Sequence, residues 1–468
     1  MPSRQEFALS PLDQHGPKLY TRMALVFPVT DYEPAIAVLQ AALEKTCDQF
    51  PYLKGSVSEK DLSERKQSFL IVSPSDATPR FEERPAPSAV SSYPELRTNR
   101  TPFPPEIFPS PALTTSGSPV LGASYTKIEG GLVVCIVTNH KVIDGTGYSE
   151  ILRILAHNAR IRASESTIPT GSPDPDEIHR RRLRILGGKT EVPKDVMDLT
   201  FEEMLARHPE YTLKSKKIAE KAAGVVGTLD AGTGTNKVFA FSGSKIEAVK
   251  HTLADKLPSR YLTVNNILTA IIWASITHVR ATRPEGALNT TTSKMDYSVS
   301  GRRLVGASLL DPPFLGNAIC YAQAEKAIKS LSFSPFSDKV EALIPTIDAI
   351  ASASDHLTAS HMASLVHLSD TNPDLSDMTM SWLFNGPGDL HFISWAQVGV
   401  YELDFGSSIG RPGYMRSAFM KLNGVVTFLP RRRADRDKEE IEVSVLLRED
   451  DMERLAGDAA WRSWLVDG

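Results

Sequence analysis

Six consecutive apolar residues, Leu132-Val133-Val134-Cys135-Ile136-Val137, constrain this chain more than any other segment. The run is far too short to cross a bilayer, and its β-branched content makes it a buried strand. Glu129-Gly130-Gly131 before it is a hairpin turn joining it to a partner strand over Pro119–Lys127. Through Thr138 it runs into Asn139-His140-Lys141-Val142-Ile143-Asp144-Gly145, and a helix is expected from Gly147 to Ile161. A histidine at the end of a buried strand is held rigidly while its ring faces a cleft, which suits proton transfer near neutral pH. Asp144 is placed to fix the loop. Gly145 is expected to supply a left-handed turn and a close backbone approach.

At 468 residues the chain is about three times a typical domain, so two cores are expected. The first half reads as strands at Tyr20–Phe27 and Ser68–Val72 around an amphipathic helix, Glu33–Gln49, with Ile36, Leu39, Leu43 and Cys47 on one face. Eleven prolines between Pro74 and Pro119 predict an irregular, largely superficial excursion, either shaping the mouth of a site or an ordinary surface loop. The stretch from about Ser164 to Asn236 is rich in Pro, Asp and Ser, then Arg (Arg180, Arg181, Arg182, Arg184), and reads as a crossover. The second half predicts strands at Lys237–Ser242, Met295–Ser300, His391–Trp395, Gly424–Leu429 and Ile441–Leu447. Its helices include one opened by a Ser244/Glu247 capping box, one over Thr263–Arg280 and a last one carrying Met452 and Leu455. Mixed strands and helices in both halves give an α/β (α+β) class with two sheets.

A formal net charge of −4 argues against nucleic-acid binding. Three scattered cysteines, Cys47, Cys135 and Cys320, form no disulfide framework and suit a reducing compartment. With a polar N-terminus and no long apolar run, a soluble cytoplasmic protein is expected. Several tempting motifs fail. Gly187-Gly188-Lys189-Thr190 has Leu183 where a phosphate loop needs its first glycine, and Gly232-Thr233-Gly234 lacks the third glycine of a dinucleotide fingerprint. His356 and His361 would sit about 140° apart around a helix, with His367 further along, so the three form no tetrahedral metal site. No metal and no bound cofactor are expected.

One further motif gives the histidine loop its context. Tyr401-Glu402-Leu403-Asp404-Phe405-Gly406 follows Ser394-Trp395 far downstream, and the pair His-x-x-x-Asp-Gly and Asp-Phe-Gly resembles the BAHD acyltransferase family. It is most similar to the fungal branch that includes trichothecene O-acetyltransferases, within the superfamily of chloramphenicol acetyltransferases and condensation domains. Ser10-Pro11-Leu12-Asp13, Phe50-Pro51-Tyr52-Leu53-Lys54-Gly55, and Gly301-Arg302-Arg303 with Phe314-Leu315-Gly316-Asn317 match further segments, so the resemblance spans the chain. The family's Asp-Phe-Gly-Trp-Gly here reads Asp404-Phe405-Gly406-Ser407-Ser408, a departure bearing on local packing and access.

The resemblance implies two chloramphenicol-acetyltransferase-like domains, each a mixed sheet with flanking helices: 1–175, a crossover over 176–235, and 236–468. It implies a monomeric enzyme passing an acyl group, acetyl above all, from acyl-CoA to a hydroxyl of a small secondary metabolite. His140 would be the general base and Ser394 an oxyanion donor. Asp144 would pair with Arg302 or Arg303, while Gly145, Asp404 and Gly406 would be structural. A condensation-like or cyclising enzyme, or a binding protein that kept the scaffold, are the alternatives.

Overall fold

A computed structural model describes residues 5–62, 65–72, 78–161, 194–222, 233–257, 261–284, 288, 290–305, 314–336, 339–374, 377–382, 386–432 and 439–466. The proline–aspartate stretch, the arginine run, Gly187 to Thr190 and Gly232 lie outside them.

The elements used below run in chain order. The first half holds β1 (Gln5–Ala8), α1 (Pro11–Gln14), β2 (Tyr20–Phe27), α2 (Tyr32–Gln49), β3 (Ser56–Leu62), β4 (Arg65–Val72), β5 (Phe81–Glu83), β6 (Ser118–Pro119), β7 (Leu121–Ile128), β8 (Gly131–Asn139) and α3 (Gly145–Ile161). The crossover contributes α4 (Phe201–Ala206) and β9 (Tyr211–Leu213). The second half holds β10 (Gly234–Ser242), α5 (Gly243–Ala254), α6 (Val264–Ala281), β11 (Thr292–Ser300), α7 (Arg302–Val305), β12 (Ile319–Ala327), α8 (Ile344–Asp355) and α9 (Ala359–Thr371). It closes with β13 (Met378–Met380), β14 (Leu390–Ser394), β15 (Tyr414–Ser417), β16 (Val425–Phe428), β17 (Glu440–Arg448) and α10 (Glu449–Gly457).

Two mixed sheets organise the fold. The first has the order β15-β2-β8-β7-β5 and the second β10-β17-β16-β14-β11-β12. The apolar run lies in β8, between β2 and β7, and all nine residues of that strand are buried. The hairpin turn before it uses Gly130 at φ 73°, a left-handed conformation that costs glycine least. One face of β8, Leu132, Val134 and Ile136, packs in the cluster with residues of α2 and α3.

The opposite face, Val133, Cys135 and Val137, meets Leu96, Phe103, Ile107 and Phe108 from the proline-rich excursion. That segment is irregular and largely superficial, as expected, with a few apolar side chains turned inward. Each of its buried apolar side chains contributes ~1.5–3 kcal/mol. Proline spacing reports missing amide donors; it says nothing about which side chains the loop turns inward.

In the second half α6 is buried on nearly every side, with Ile267, Ile271 and Trp273 in the core and the Trp273 indole donating to Ser293 Oγ at 2.8 Å. Its Thr263 cap forms a reciprocal box with Asn266. The helix before it starts earlier than expected. Ser242, not Ser244, caps α5 by accepting from the Lys245 amide, because β10 pairs up to Ser242 and the Gly243 amide donates to Glu439 O at 2.8 Å.

Chain order is not sheet order. β15 comes from the second half yet pairs antiparallel with β2, Tyr414 opposite Val26. Arg416 of β15 is fully buried and donates from both terminal nitrogens to Glu442 of β17, at 2.8 and 2.9 Å. This ion pair ties the two sheets together. Removing one member strands a buried charge, so Arg416→Ala should lower unfolding stability by about 3–5 kcal/mol in a denaturant titration.

Candidate active site at the seam of the two sheets

β8, an interior strand, delivers His140 at its C-terminal end, and a tight turn follows in which Val142 and Ile143 donate to Asn139 O at 2.9 and 3.1 Å. The His140 backbone is held from both directions. Its amide donates to Leu19 O at 2.9 Å, and its carbonyl accepts from Asn317 Nδ2 at 2.9 Å. Asn317 is held in turn by Asp13 Oδ1, which accepts from its amide and side-chain nitrogens, both at 2.8 Å. The other Asp13 oxygen accepts from Ser10 Oγ at 2.7 Å as part of the α1 cap. Two segments that looked like separate signatures therefore meet behind the histidine.

Burial pushes the imidazole pKa below its ordinary 6.5, against the opposing pull of the residue's own carbonyl and of Asp144. Nδ1 is buried with no partner on another described residue. A proton on Nδ1, facing that carbonyl, leaves the Nε2 lone pair as the basic site.

Asp144 is completely buried, and every acceptor position is used. Oδ1 accepts from the Gly147 amide (2.9 Å) and Arg302 (2.8 Å); Oδ2 accepts from Arg302 (2.8 Å) and the Ala318 amide (3.0 Å). Burial alone would raise its pKa, but the Arg302 charge and these donors hold it below the usual carboxylate range. Arg302 also donates to Phe314 O at 3.0 Å and Gly316 O at 2.7 Å. Arg303, the other candidate, is exposed and takes no part in this network.

The glycine expectation is corrected. Gly145 does not adopt positive φ, and a Cβ there would make only ordinary contact with the Trp395 ring at 3.5 Å. The close approach belongs to Gly147, where a Cβ would collide with the Leu315 carbonyl. Trp395 also packs edge-on against Tyr148, centroids 5.5 Å apart. Ser394 Oγ accepts from Asn265 Nδ2 at 3.1 Å and from the Ala396 amide at 3.3 Å. Asp404 and Gly406 sit elsewhere. Asp404 Oδ1 accepts from the Gly406 amide at 2.9 Å, Gly406 has φ 89°, and Phe405 packs edge-on against Phe27 at 5.0 Å. The missing tryptophan is answered by a closed turn in which the Phe405 amide donates to Gly410 O at 3.0 Å and the Gly410 amide donates to Gly406 O at 2.7 Å.

Sequence reading missed several polar groups. Lys141 is buried with Nζ donating to Gln14 O at 2.6 Å, and burial lowers its pKa to about 8. On the second sheet, Asp296 Oδ2 lies 2.9 Å from His391 Nδ1 and Ser298 Oγ lies 3.3 Å from its Nε2, while Trp382 stacks on the ring at 4.7 Å. Strand register alone makes this pair, since Asp296 is opposite His391 across 95 residues of chain. A pocket of about 390 Å³ opens beside Asn265 at the N-terminus of α6, with Lys250, Thr263, Gln397 and Arg431 on its wall.

A sequence profile of the Transferase family matches residues 1–460. The chain belongs to that family. The trichothecene 8-O-acetyltransferase of Fusarium sporotrichioides is 29% identical over 490 residues, covering 98% of this chain and 97% of that protein. The structure of F. sporotrichioides TRI101 complexed with coenzyme A and T-2 superposes with a TM-score of 0.74 at 21% identity, over 98% of this chain and 99% of that one. The first condensation domain of the CDA synthetase shares the fold more distantly, with a TM-score of 0.55 at 13% identity over 97% of each chain. The resemblance carried by the motifs holds, and this Transferase-family chain is an acyltransferase with the two-domain fold of that superfamily. No helix among the described residues is long and apolar enough to cross a membrane.

In this family member Gly147→Ala should cost on the order of 3 kcal/mol, because the colliding atom is backbone and cannot step aside. Gly145→Ala should stay within about 1 kcal/mol of wild type. Thermal unfolding of the two variants in parallel checks the assignment.

Proposed function

We propose that the chain is an acyl-CoA-dependent O-acetyltransferase of small hydroxylated secondary metabolites, with His140 as general base. The observation that carries this reading is a half-buried imidazole at the seam of two sheets, its backbone fixed from both sides and its Nδ1 buried without a partner on another described residue. The relatives named above support the acetyl donor and the hydroxyl acceptor. Nε2 takes the acceptor proton as the oxygen attacks the thioester carbonyl, and the tetrahedral oxyanion needs a donor. Ser394 serves there: its Oγ accepts from Asn265 and Ala396, which leaves its own proton to donate. Collapse expels the thiolate, which recovers the proton from His140. Asp144 and Arg302 act structurally, holding the loop across the seam. Asp404 and Gly406 shape the turn that seats Phe405.

The pocket beside Asn265 is assigned as the entry for the donor, because the positive end of an eighteen-residue helix opens into it; its cations Lys250 and Arg431 are each paired with a glutamate of the same wall, Glu247 and Glu439. The wall formed by Asp296, Ser298, His391 and Trp382 runs along the second sheet from Ser300, whose Oγ accepts from Arg302, and is assigned to the acceptor side. The same reading takes the enzyme as a monomer of the cytoplasm.

Release of free CoA from acetyl-CoA, followed with a thiol reagent against a panel of hydroxylated metabolites, tests the reading. His140→Ala should abolish turnover while leaving the unfolding curve unchanged; a variant with near-normal rate would falsify the assignment. Because burial lowers the His140 pKa, the neutral base persists below pH 6.5, and the acid limb of kcat should fall at lower pH than for a free imidazole. The same shift makes folding lose stability as pH drops below 6.5, where the unfolded chain binds the extra proton. For the donor pocket, Lys250→Ala should raise KM for acetyl-CoA by about fivefold with kcat little changed.

A further inference from the structure

We propose a second, structural site: a zinc-type centre formed by His208, Glu210 and His361 where the crossover meets α9. His208 and Glu210 flank one position just before β9, and His361 lies in the first turn of α9, whose Thr358 cap accepts from its amide at 3.1 Å. Glu210 Oε1 lies 3.0 Å from His208 Nδ1 and 2.9 Å from His361 Nε2. The three ligand atoms all lie within 4.8 Å of one another. His208 and Glu210 are each 1% exposed, and the His361 side chain is 10% exposed.

Three features favour a metal over a simple hydrogen-bonded trio. The buried Glu210 carboxylate has no lysine or arginine within ion-pair distance among the described residues, so its charge is answered only by two imidazoles. Its Oε2 is buried without a partner, and His361 Nε2 is close to Oε1 without hydrogen-bonding geometry. The far nitrogen of His208 lies 2.9 Å from Ser364 Oγ. With Nε2–H donating there, Nδ1 turns its lone pair into the cluster, the outer-shell arrangement that orients a ligating histidine.

Two nitrogens and one carboxylate oxygen suit zinc, whereas calcium and magnesium take all-oxygen shells. Tetrahedral bonds near 2.0–2.1 Å would hold the ligand atoms about 3.3 Å apart, a few tenths of an ångström from the two distances to Glu210 Oε1, with the two imidazole nitrogens within 4.8 Å of each other. His356, its ring 5.2 Å from that of His361 and its side chain exposed, is placed to swing in as a fourth ligand. The arithmetic that separates His356 from His361 on one helix does not apply: His356 caps the end of α8 and His361 begins α9. Such a centre would pin the crossover to α9, which packs on α1 and α7, and Met362 beside His361 fills the space over Gly301 next to Arg302.

The full-length protein, stripped with a chelator, is titrated with Zn²⁺ by calorimetry and thermal unfolding, and with Co²⁺ by visible absorption. The expected results are one-to-one binding, a saturating rise in Tm and the intense absorption of tetrahedral cobalt. Glu210→Gln and His361→Gln should each weaken binding by about 100-fold or more, since loss of outer-shell partners alone costs 10–100-fold. Absence of saturable binding in the wild type up to about 1 mM, where affinity is negligible, overturns the proposal. So does undiminished binding in both variants, or an octahedral cobalt spectrum. If a variant fails to fold, the wild-type cobalt spectrum decides alone.

Discussion

The bidentate pair between Asp144 and Arg302 is the interaction on which the rest of the architecture depends. It joins the loop after β8 in the first sheet to the segment after β11 in the second, 158 residues away. Both groups are buried, so the pair gains its stability only because every remaining position is also satisfied: two amides on the carboxylate, two carbonyls on the guanidinium. Losing either partner would leave an uncompensated charge at the seam. Geometry this demanding fixes the relative placement of the sheets, and with it the space in front of His140.

That placement leaves the histidine with a distinct character. Asp144 does not orient the ring as a triad carboxylate would, because its oxygens are committed to Arg302 and to two amides. Burial and the residue's own carbonyl govern the imidazole instead. The imidazole is therefore positioned by the backbone around it, through Leu19, Asn317 and, behind them, Asp13. Asp13 lies in the short helix α1, so that N-terminal turn and the second half of the chain jointly hold His140.

Much of this was legible beforehand. Strands β2 and β8, helices α2 and α3, and the central helix α6 follow from apolar periodicity, which reports local geometry directly. The histidine loop and the choice of Asp144 were also legible. Arg302 and Arg303 were indistinguishable because adjacent residues in a chain differ only in direction, and direction is set by the fold. Gly145 drew attention for its place in a motif, while Gly147 carries the steric demand, since the colliding carbonyl of Leu315 comes from another domain. The Asp296–His391 pair and the His208–Glu210–His361 cluster left no local signature, because their members come from different elements.

The sequence by itself determined the elements, the two-core layout and the histidine loop that β8 carries, since each depends on short-range spacing of apolar and polar groups. Tertiary structure alone decided which arginine meets Asp144 and that β15 crosses to the first sheet. It also decided which side chains of the proline-rich excursion, Leu96, Phe103, Ile107 and Phe108, turn inward against β8. Those outcomes rest on contacts between residues far apart in the chain. Their free energies appear only when the two sheets are brought together.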